Sequence, residues 1–406
     1  MKIAAVEVQC QPADVVALPR DPAPSSPRQP FLPIALFCLL ALLTSAVAEG
    51  RRWSVERKEA GAAAQMGMSE KGKITLSPVS RSLIPMPPGV PSAHASALAP
   101  VAGDRMLAFW WAGSRESGPD VKIYASRSTG GRWGPARVVA SRESLGAALG
   151  FGVRRVGNPV AWTGRDGTVH LYVVTTGMGG WAAARIVHLV SVDQGDSFKV
   201  KRLLPMSPLF NTSVLVRTTP VALANGGWWL PVYFEIGIKY PMLMSFDRDG
   251  DPRWLARIGN RTTTLQPTVL PVSATETHAL MRDNSDERKV QHAVSRDGGQ
   301  SWADMPALNL PNHSSSVAAW RLNKGGFVLL HNPGQGKNAR NVLRLSSSTD
   351  GVTWHRLFDI ANGTVEDEFS YPTLQQVGDE LHISYTYRRQ AIAHNVYHIN
   401  YAEAPR

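Results

Sequence analysis

The residues of this chain that could do chemistry are ionisable side chains set in short apolar or polar runs, with no metal or phosphate signature. Glu235 closes the run Val232-Tyr233-Phe234-Glu235, an acid in an otherwise apolar strand. Its bland reading is an outward-facing strand residue. Arg115, Glu116 and Asp120 fall together in Arg115-Glu116-Ser-Gly-Pro-Asp120, where either carboxylate stands within reach of a cation. Asp120, directly after Pro119, reads equally as a turn residue. The 11 His are scattered, with no His-x-His spacing and a single i, i+4 pair (His394 and His398), so neither a catalytic metal nor another cofactor is expected. No Gly-rich loop follows a strand and opens a helix.

Elements that position such residues must be short. Thirty-five Gly, 29 Pro and 12 Trp suit strands joined by many turns and argue against a helical bundle. With 43% hydrophobic and 18% charged residues the chain can bury a large core, which excludes bulk disorder. Forty-three basic against 32 acidic residues leave a formal charge of +11, drawing the protein towards nucleic acid, membrane surface or acidic sugars without choosing among them.

The one long apolar run, Phe31 to Leu43, follows Arg20 and Arg28 and precedes Ala46-Val47-Ala48, the small-x-small pattern that signal peptidase cuts. Cleavage after Ala48 removes both cysteines, Cys10 and Cys38, and leaves no disulfide or thiolate site. An uncleaved membrane anchor over residues 31–48 fits the same pattern. Either way the body is expected to be exported, to the periplasm or the cell exterior. Residues 1–48 are thus a signal peptide or anchor, the polar, Ala/Gly-rich residues 49–73 a linker, and 74–406 one folded domain. Tyr385-Thr386-Tyr387-Arg388-Arg389 mixes aromatics with bases, but it reads as the end of an alternating strand, and no nucleic-acid partner is expected of an exported protein.

A repeat organises the domain. Ser295-Arg-Asp297-Gly-Gly299-Gln-Ser-Trp302 has the form S-x-D-x-G-x-x-W, and Ser191-Val-Asp193-Gln-Gly195-Asp-Ser-Phe198 repeats it with Phe for Trp. Ser126-Arg-Ser128-Thr-Gly130-Gly-Arg-Trp133 has Ser for Asp, and Ser348-Thr-Asp350-Gly351-Val-Thr-Trp354 is one residue shorter. A degenerate copy lies between Ser245 and Trp254. In such a unit the Asp accepts hydrogen bonds from turn N–H groups, Gly supplies positive φ and the aromatic plugs the space between hairpins. Neighbouring copies stand about fifty to sixty residues apart, which suits four-stranded blades, and about six of these fill the domain. The expected fold is all-β, a six-bladed β-propeller.

These turns are similar to the Asp boxes of the sialidase superfamily, and the chain from about Ser77 onwards resembles bacterial sialidase-like proteins with BNR repeats. The resemblance implies a cluster of arginines for a sugar carboxylate, a Tyr nucleophile activated by an acid, and a separate acid/base. It places Arg282, in Leu280-Met281-Arg282-Asp283, and Arg340, before the box at Ser348, in the cluster, and Tyr371, in Ser370-Tyr371-Pro372, as nucleophile. Asp120 is the implied acid/base with Arg115 orienting it, and Glu116 is the alternative. Two positions depart from the pattern: His94 stands where the first Arg is expected, and Gln266 where the activating Glu is expected. Glu235 is the candidate substitute for that Glu.

The implied activity is a retaining exo-sialidase-like hydrolase acting on terminal sialic or related acidic sugar. Two alternatives share the site. One is a uronate-polysaccharide lyase or hydrolase in which His94 and Tyr371 act as base and acid. The other is a non-catalytic propeller that binds anionic glycan.

Overall fold

The computed structural model describes residues 31–54, 74–204, 206, 213–336 and 339–401. Most of the expected signal or anchor before Phe31, and of the expected linker after Ser54, lies outside them. Phe31–Ser54 is one helix that carries the apolar run, with Leu32, Leu36, Phe37 and Leu40 exposed. It runs six residues past Ala48, so the first residues of the expected linker are helical. Among the described residues no helix is long and apolar enough to cross a membrane.

The strands form six antiparallel sheets, each a blade. The first blade runs outwards through Ser92–Val101, Arg105–Gly113 and Lys122–Thr129 to the short pieces Arg132–Trp133 and Arg137–Ala140. The second is Arg155–Thr163, Val169–Thr176, Ala184–Ser191 and Lys199–Leu203. In the third, Val214–Val216 and Val221–Ala222 share the neighbour Trp228–Ile236, followed by Ile238–Phe246 and Pro252–Arg257. The fourth is Thr264–Pro271, Thr277–Asp283, Gln291–Ser295 and Ala303–Met305. The fifth is Ala318–Arg321, Phe327–His331, Val342–Ser348 and His355–Asn362. The sixth takes Phe369–Val377, Glu380–Tyr387 and Ala391–Tyr401 from the end of the chain and its outer strand, Ile74–Leu83, from the start of the domain. Pairing from Ile74 with Tyr401 to Leu83 with Ala393 closes the ring and leaves no open edge between first and last blade.

Each Asp box joins the third strand of a blade to the outer one. Asp297 accepts from the N–H groups of Gln300 and Ser301, Asp350 from those of Val352 and Thr353, and Asp193 from that of Ser197. In the degenerate copy Asp247 accepts from the N–H groups of Asp249 and Asp251. The sixth blade has no box because its outer strand comes from the other end of the domain, so no hairpin turn exists there. At Gly299, φ is +84°, and an added Cβ would lie 3.1 Å from Leu243 and 3.3 Å from the Trp229 ring of the preceding blade. The box glycine therefore serves both the turn and the contact between blades.

Six buried apolar clusters fill the spaces between adjacent blades. One joins Phe109 of the first blade to Leu171 of the second, and another joins Leu330 of the fifth to Ile383 of the sixth. The core is thus a ring of wedges, and the axis is left to the innermost strands.

Candidate active site

Inner strands in a regular sheet would alternate side chains between their two faces. Here each blade interrupts that alternation at or just before the beginning of its inner strand with one non-glycine residue at positive φ: Ala95 (57°), Asn158 (37°), Ser213 (56°), Gln266 (50°), Ser314 (53°) and Tyr371 (53°). Register breaks accompany four of them, between His94 and Ala97, Gly157 and Pro159, Leu265 and Thr268, and Ser370 and Thr373. Bulges of this kind re-aim side chains, and their backbone cost is tolerated where the surrounding packing fixes them. The six converge on one end of the axis.

A cavity of about 240 Å³ opens there, lined among others by Glu116, Glu235, Gln266, Arg282 and Tyr371, with Trp111 and Trp181 as aromatic walls. The Tyr371 hydroxyl accepts from Arg282 Nη1 at 3.3 Å and from Gln266 Nε2 at 3.4 Å. Gln266 Oε1 in turn accepts from Arg282 Nη1 at 3.2 Å, and Gln266 Nε2 also donates to the Tyr233 hydroxyl at 3.3 Å. Arg282 is held from its other side by Ser314 Oγ, at 3.1 Å from Nε and 3.0 Å from Nη2. Burial opposes ionisation of Tyr371, but the Arg282 and Arg340 guanidiniums and the Gln266 amide outweigh it and hold the phenol below its usual value. Tyr233, with burial and the charge of Tyr371 both acting upwards, is held above it.

Arg340 lies with its guanidinium carbon 5.8 Å from the centre of the Tyr371 ring. It donates to Glu368 Oε1 at 3.1 Å and to the Ser314 carbonyl at 3.0 Å. Glu368 also accepts from Arg389 Nε at 2.8 Å and from Ser370 Oγ at 2.6 Å. Burial would raise the Glu368 carboxyl, yet these donors keep it below the ordinary carboxylate range. Arg389 bridges onward to Glu116. The sites of Glu116 and Glu235 differ in partner: Glu235 faces Lys239 at 3.5 Å.

Of the residues singled out in the sequence, Tyr371, Gln266, Arg282, Glu116 and Glu235 meet at the cavity, and Arg340 lies against the Tyr371 ring. Asp120 does not join them. Its carboxylate caps its own loop, accepting from Ser114 N at 2.7 Å and Ser114 Oγ at 2.8 Å, and these bonds hold it below the usual Asp value. It borders a separate surface hollow with Arg142 and Glu143. Arg115 is exposed and lines neither space. Of the two carboxylates offered by this loop, Glu116 lines the Tyr371 cavity and Asp120 does not.

His94 does not line the cavity either. It is 1% exposed, its ring centre 4.1 Å from that of Tyr371 and 5.6 Å from that of Trp111, and both ring nitrogens are buried without a partner. Burial first, then Arg389, Arg340, Arg217 and Arg282, push its pKa well below the ordinary value. It supports the tyrosine from behind and does not reach the cavity.

Three residues that the sequence reading passed over complete the arrangement. Arg217 is 2% exposed, lies 5.0 Å from the Tyr371 ring centre, and donates to the carbonyls of Ser96 at 3.3 Å and Pro372 at 3.0 Å. It thereby spans from the third blade to the first and sixth, and burial lowers its pKa to about 10. Arg389 follows Arg388 in a turn where both have positive φ, and its carbonyl accepts from Ala93 N beside His94. Glu368 links Arg389 to Arg340. The signal for Arg389 was visible in Tyr387-Arg388-Arg389, but the strand ends at Tyr387 and the turn supplies the arginine. Among the described residues no group of three or more His, Cys, Asp or Glu side chains gathers to hold a metal.

The BNR repeat-like domain family matches residues 104–383, more than half of the chain. No curated protein matches the chain in sequence. Among solved structures, a protein of unknown function from Dyadobacter fermentans is similar over 80% of this chain and 99% of its own, with TM-score 0.65 and 15% identity. The Hadza microbial sialidase Hz136 is similar over 75% of this chain and 65% of its own, with TM-score 0.60 and 16% identity. Trypanosoma rangeli sialidase in complex with sialic acid is similar over 82% of this chain and 60% of its own, with TM-score 0.56 and 15% identity. The chain thus spans somewhat under two thirds of either sialidase.

Proposed function

Because the chain belongs to the BNR repeat-like domain family, on a propeller of the sialidase kind, we propose that the Arg282–Tyr371 cavity takes a terminal acidic sugar and hydrolyses its glycosidic bond with retention. The observation that carries this reading is the Tyr371 hydroxyl, which accepts from Arg282 and Gln266 at the cavity and is drawn towards its ionised form. A carboxylate on the anomeric carbon would repel a carboxylate nucleophile, whereas a phenol among arginines meets it on a cationic surface.

In this reading Arg282 and Arg340 face the sugar carboxylate. Arg389 supplies the third guanidinium, reaching from the sixth blade to the place that His94 leaves without a charge. Tyr371 Oη forms a bond to the anomeric carbon as the glycosidic oxygen leaves and takes a proton from Glu116. Water then attacks the same carbon, Glu116 takes up its proton, and the Tyr371 oxygen is released. Gln266 cannot accept the phenol proton, so ionisation of Tyr371 rests on cations and an amide donor, with Glu235 the remaining carboxylate at the cavity. The exported location, through the helix carrying residues 31–48, is part of the same proposal.

The test is release of a fluorescent aglycone from a sialic acid glycoside by the purified protein, with Tyr371→Phe beside it. Release that vanishes in the variant supports the hydrolase, and full turnover in the variant removes Tyr371 as nucleophile. One observation favours a second reading, glycan binding without turnover: among the described residues no carboxylate is a hydrogen-bond partner of Tyr371. That reading predicts saturable sialoside binding with no release from either protein. The elimination alternative, with an unsaturated, ultraviolet-absorbing product from a uronan, loses His94 as its base, since the ring is sealed behind Tyr371 and only weakly basic.

A further inference from the structure

The inner strands have a second end. Thr373 bonds to Ser96, Thr218 to Pro267 and Ala319 to Thr268, so neighbouring inner strands run side by side around the axis. The Tyr371 cavity uses their beginnings. A larger cavity of about 400 Å³ is lined by their far ends: Trp162 of the second blade, Thr219 of the third, Pro271 of the fourth, Trp320 and Arg321 of the fifth, and Gln375 of the sixth. Four residues along an extended strand, from Tyr371 to Gln375, cover about 13 Å. Arg217 lies across the axis between the two ends, tied to the first and sixth blades. The two cavities are thus separate sites.

The lining of the second cavity has a definite chemistry. Two half-buried indoles, with Val269, Pro271 and Leu322, give broad apolar faces. Gln375 is only 8% exposed, yet its amide makes no hydrogen bond with any described residue. Neither of its amide atoms is sealed from water, so both can exchange that contact for the hydroxyls of a molecule in the cavity. Thr219 and Asn323 add a hydroxyl and a second amide at the rim. Among the described residues no carboxylate lines the cavity, and the one guanidinium there, Arg321, is turned onto the carbonyls of Pro271 at 3.4 Å and Val272 at 2.8 Å.

Apolar platforms with a few uncharged donors and acceptors, in a space of this size, match a molecule with an apolar face and a rim of hydroxyls. We propose that this mouth of the axis is a second carbohydrate site, which takes a neutral pyranose unit, and that it is distinct from the cationic Tyr371 cavity. C–H groups of the ring would lie on Trp162 or Trp320, and its hydroxyls would satisfy Gln375. The assignment does not depend on whether the Tyr371 cavity hydrolyses anything.

The experiment is calorimetric titration of the purified protein with neutral disaccharides: lactose, cellobiose and maltose. At least one is expected to bind saturably. Trp320→Ala should weaken that binding about tenfold, the loss of one aromatic platform, and Gln375→Leu, which keeps the volume, should weaken it by a comparable factor. Arg282→Ala should leave it unchanged. If none of the three sugars binds, or if binding survives both Trp320→Ala and Gln375→Leu, the second site is wrong. Circular dichroism melts separate these outcomes from misfolding, and Trp162→Phe, which keeps an aromatic face, provides the second variant if Trp320→Ala does not fold. Loss of binding in Arg282→Ala alone would overturn the proposal by moving the sugar to the Tyr371 cavity.

Discussion

Replacing Gln266 by Glu tests whether cations alone set the ionisation of Tyr371. Gln266 Nε2 lies 3.4 Å from the phenol oxygen and Arg282 Nη1 lies 3.3 Å from it. At an effective dielectric constant of about 20, a unit charge at either distance is worth about 5 kcal/mol, with opposite sign for the two groups. A glutamate at 266 therefore cancels the largest favourable contribution to the phenolate, removes the amide donor and leaves Arg340 alone against the burial penalty. Tyr371 should move from below its ordinary value of about 10 to above it. The readout is tyrosinate absorbance in a pH titration of Gln266→Glu and wild type, each against its Tyr371→Phe counterpart, which needs no turnover. Where turnover exists, the acid limb of kcat/KM should change too. Wild type should lose about tenfold per pH unit below the phenol's pKa, and Gln266→Glu, with a general base in place, should stay flat to about pH 5. A Tyr371 titration that stays below 10 in Gln266→Glu would refute the electrostatic account of this site.

Three further perturbations probe other parts of the molecule. Arg389→Ala, which removes the guanidinium shared by Glu368 and Glu116, should weaken binding of an acidic sugar about tenfold or more, measured by calorimetry with free sialic acid. Gly299→Ala places a Cβ at positive φ against Leu243 and Trp229 and should destabilise the fold by about 1–2 kcal/mol, read from a urea melt. Buried histidines should make the fold acid-labile: burial depresses His170, His292 and His331 to about 4. The unfolded chain takes up protons first, so their contribution is intact above about pH 6.5 and falls as pH drops towards 4, by about 2 kcal/mol per group at pH 5. An unchanged melting temperature between pH 7.5 and 5 would contradict it.

The propeller was legible because its punctuation is local. Each Asp box holds its own turn within eight residues or fewer, so Ser295 to Trp302 announces a blade without reference to the rest of the chain. Even the missing sixth box follows from a simple topological fact, the outer strand Ile74–Leu83 arriving from the other end. Tyr371, Gln266, Arg282 and Arg340 could be named because each sits at a fixed offset from such a box or strand. Asp120 and His94 lie off the cavity for a shared reason: sequence position gives the strand or loop but not which way a side chain leaves it. Asp120 turns back onto Ser114, and His94 precedes the positive-φ residue Ala95 and faces inward behind Tyr371.

One of the missed residues, Arg389, comes from that same backbone feature. Arg389 reaches the site only because Arg388 and Arg389 both adopt positive φ, a conformation that residue type does not announce in arginine. Arg217 was hidden differently, as an arginine that looks like the polar end of Val214–Val216 but is buried across the axis on carbonyls of two other blades. Its partners, Ser96 and Pro372, are remote in sequence, so no local pattern could pair them. The same geometry also sets the division of labour along the axis. A guanidinium that lies over the Tyr371 ring and is tied to carbonyls of two other blades stands between the cationic cavity and the indole-lined one. Charge is thereby concentrated where an anionic sugar would bind and withheld where a neutral one would.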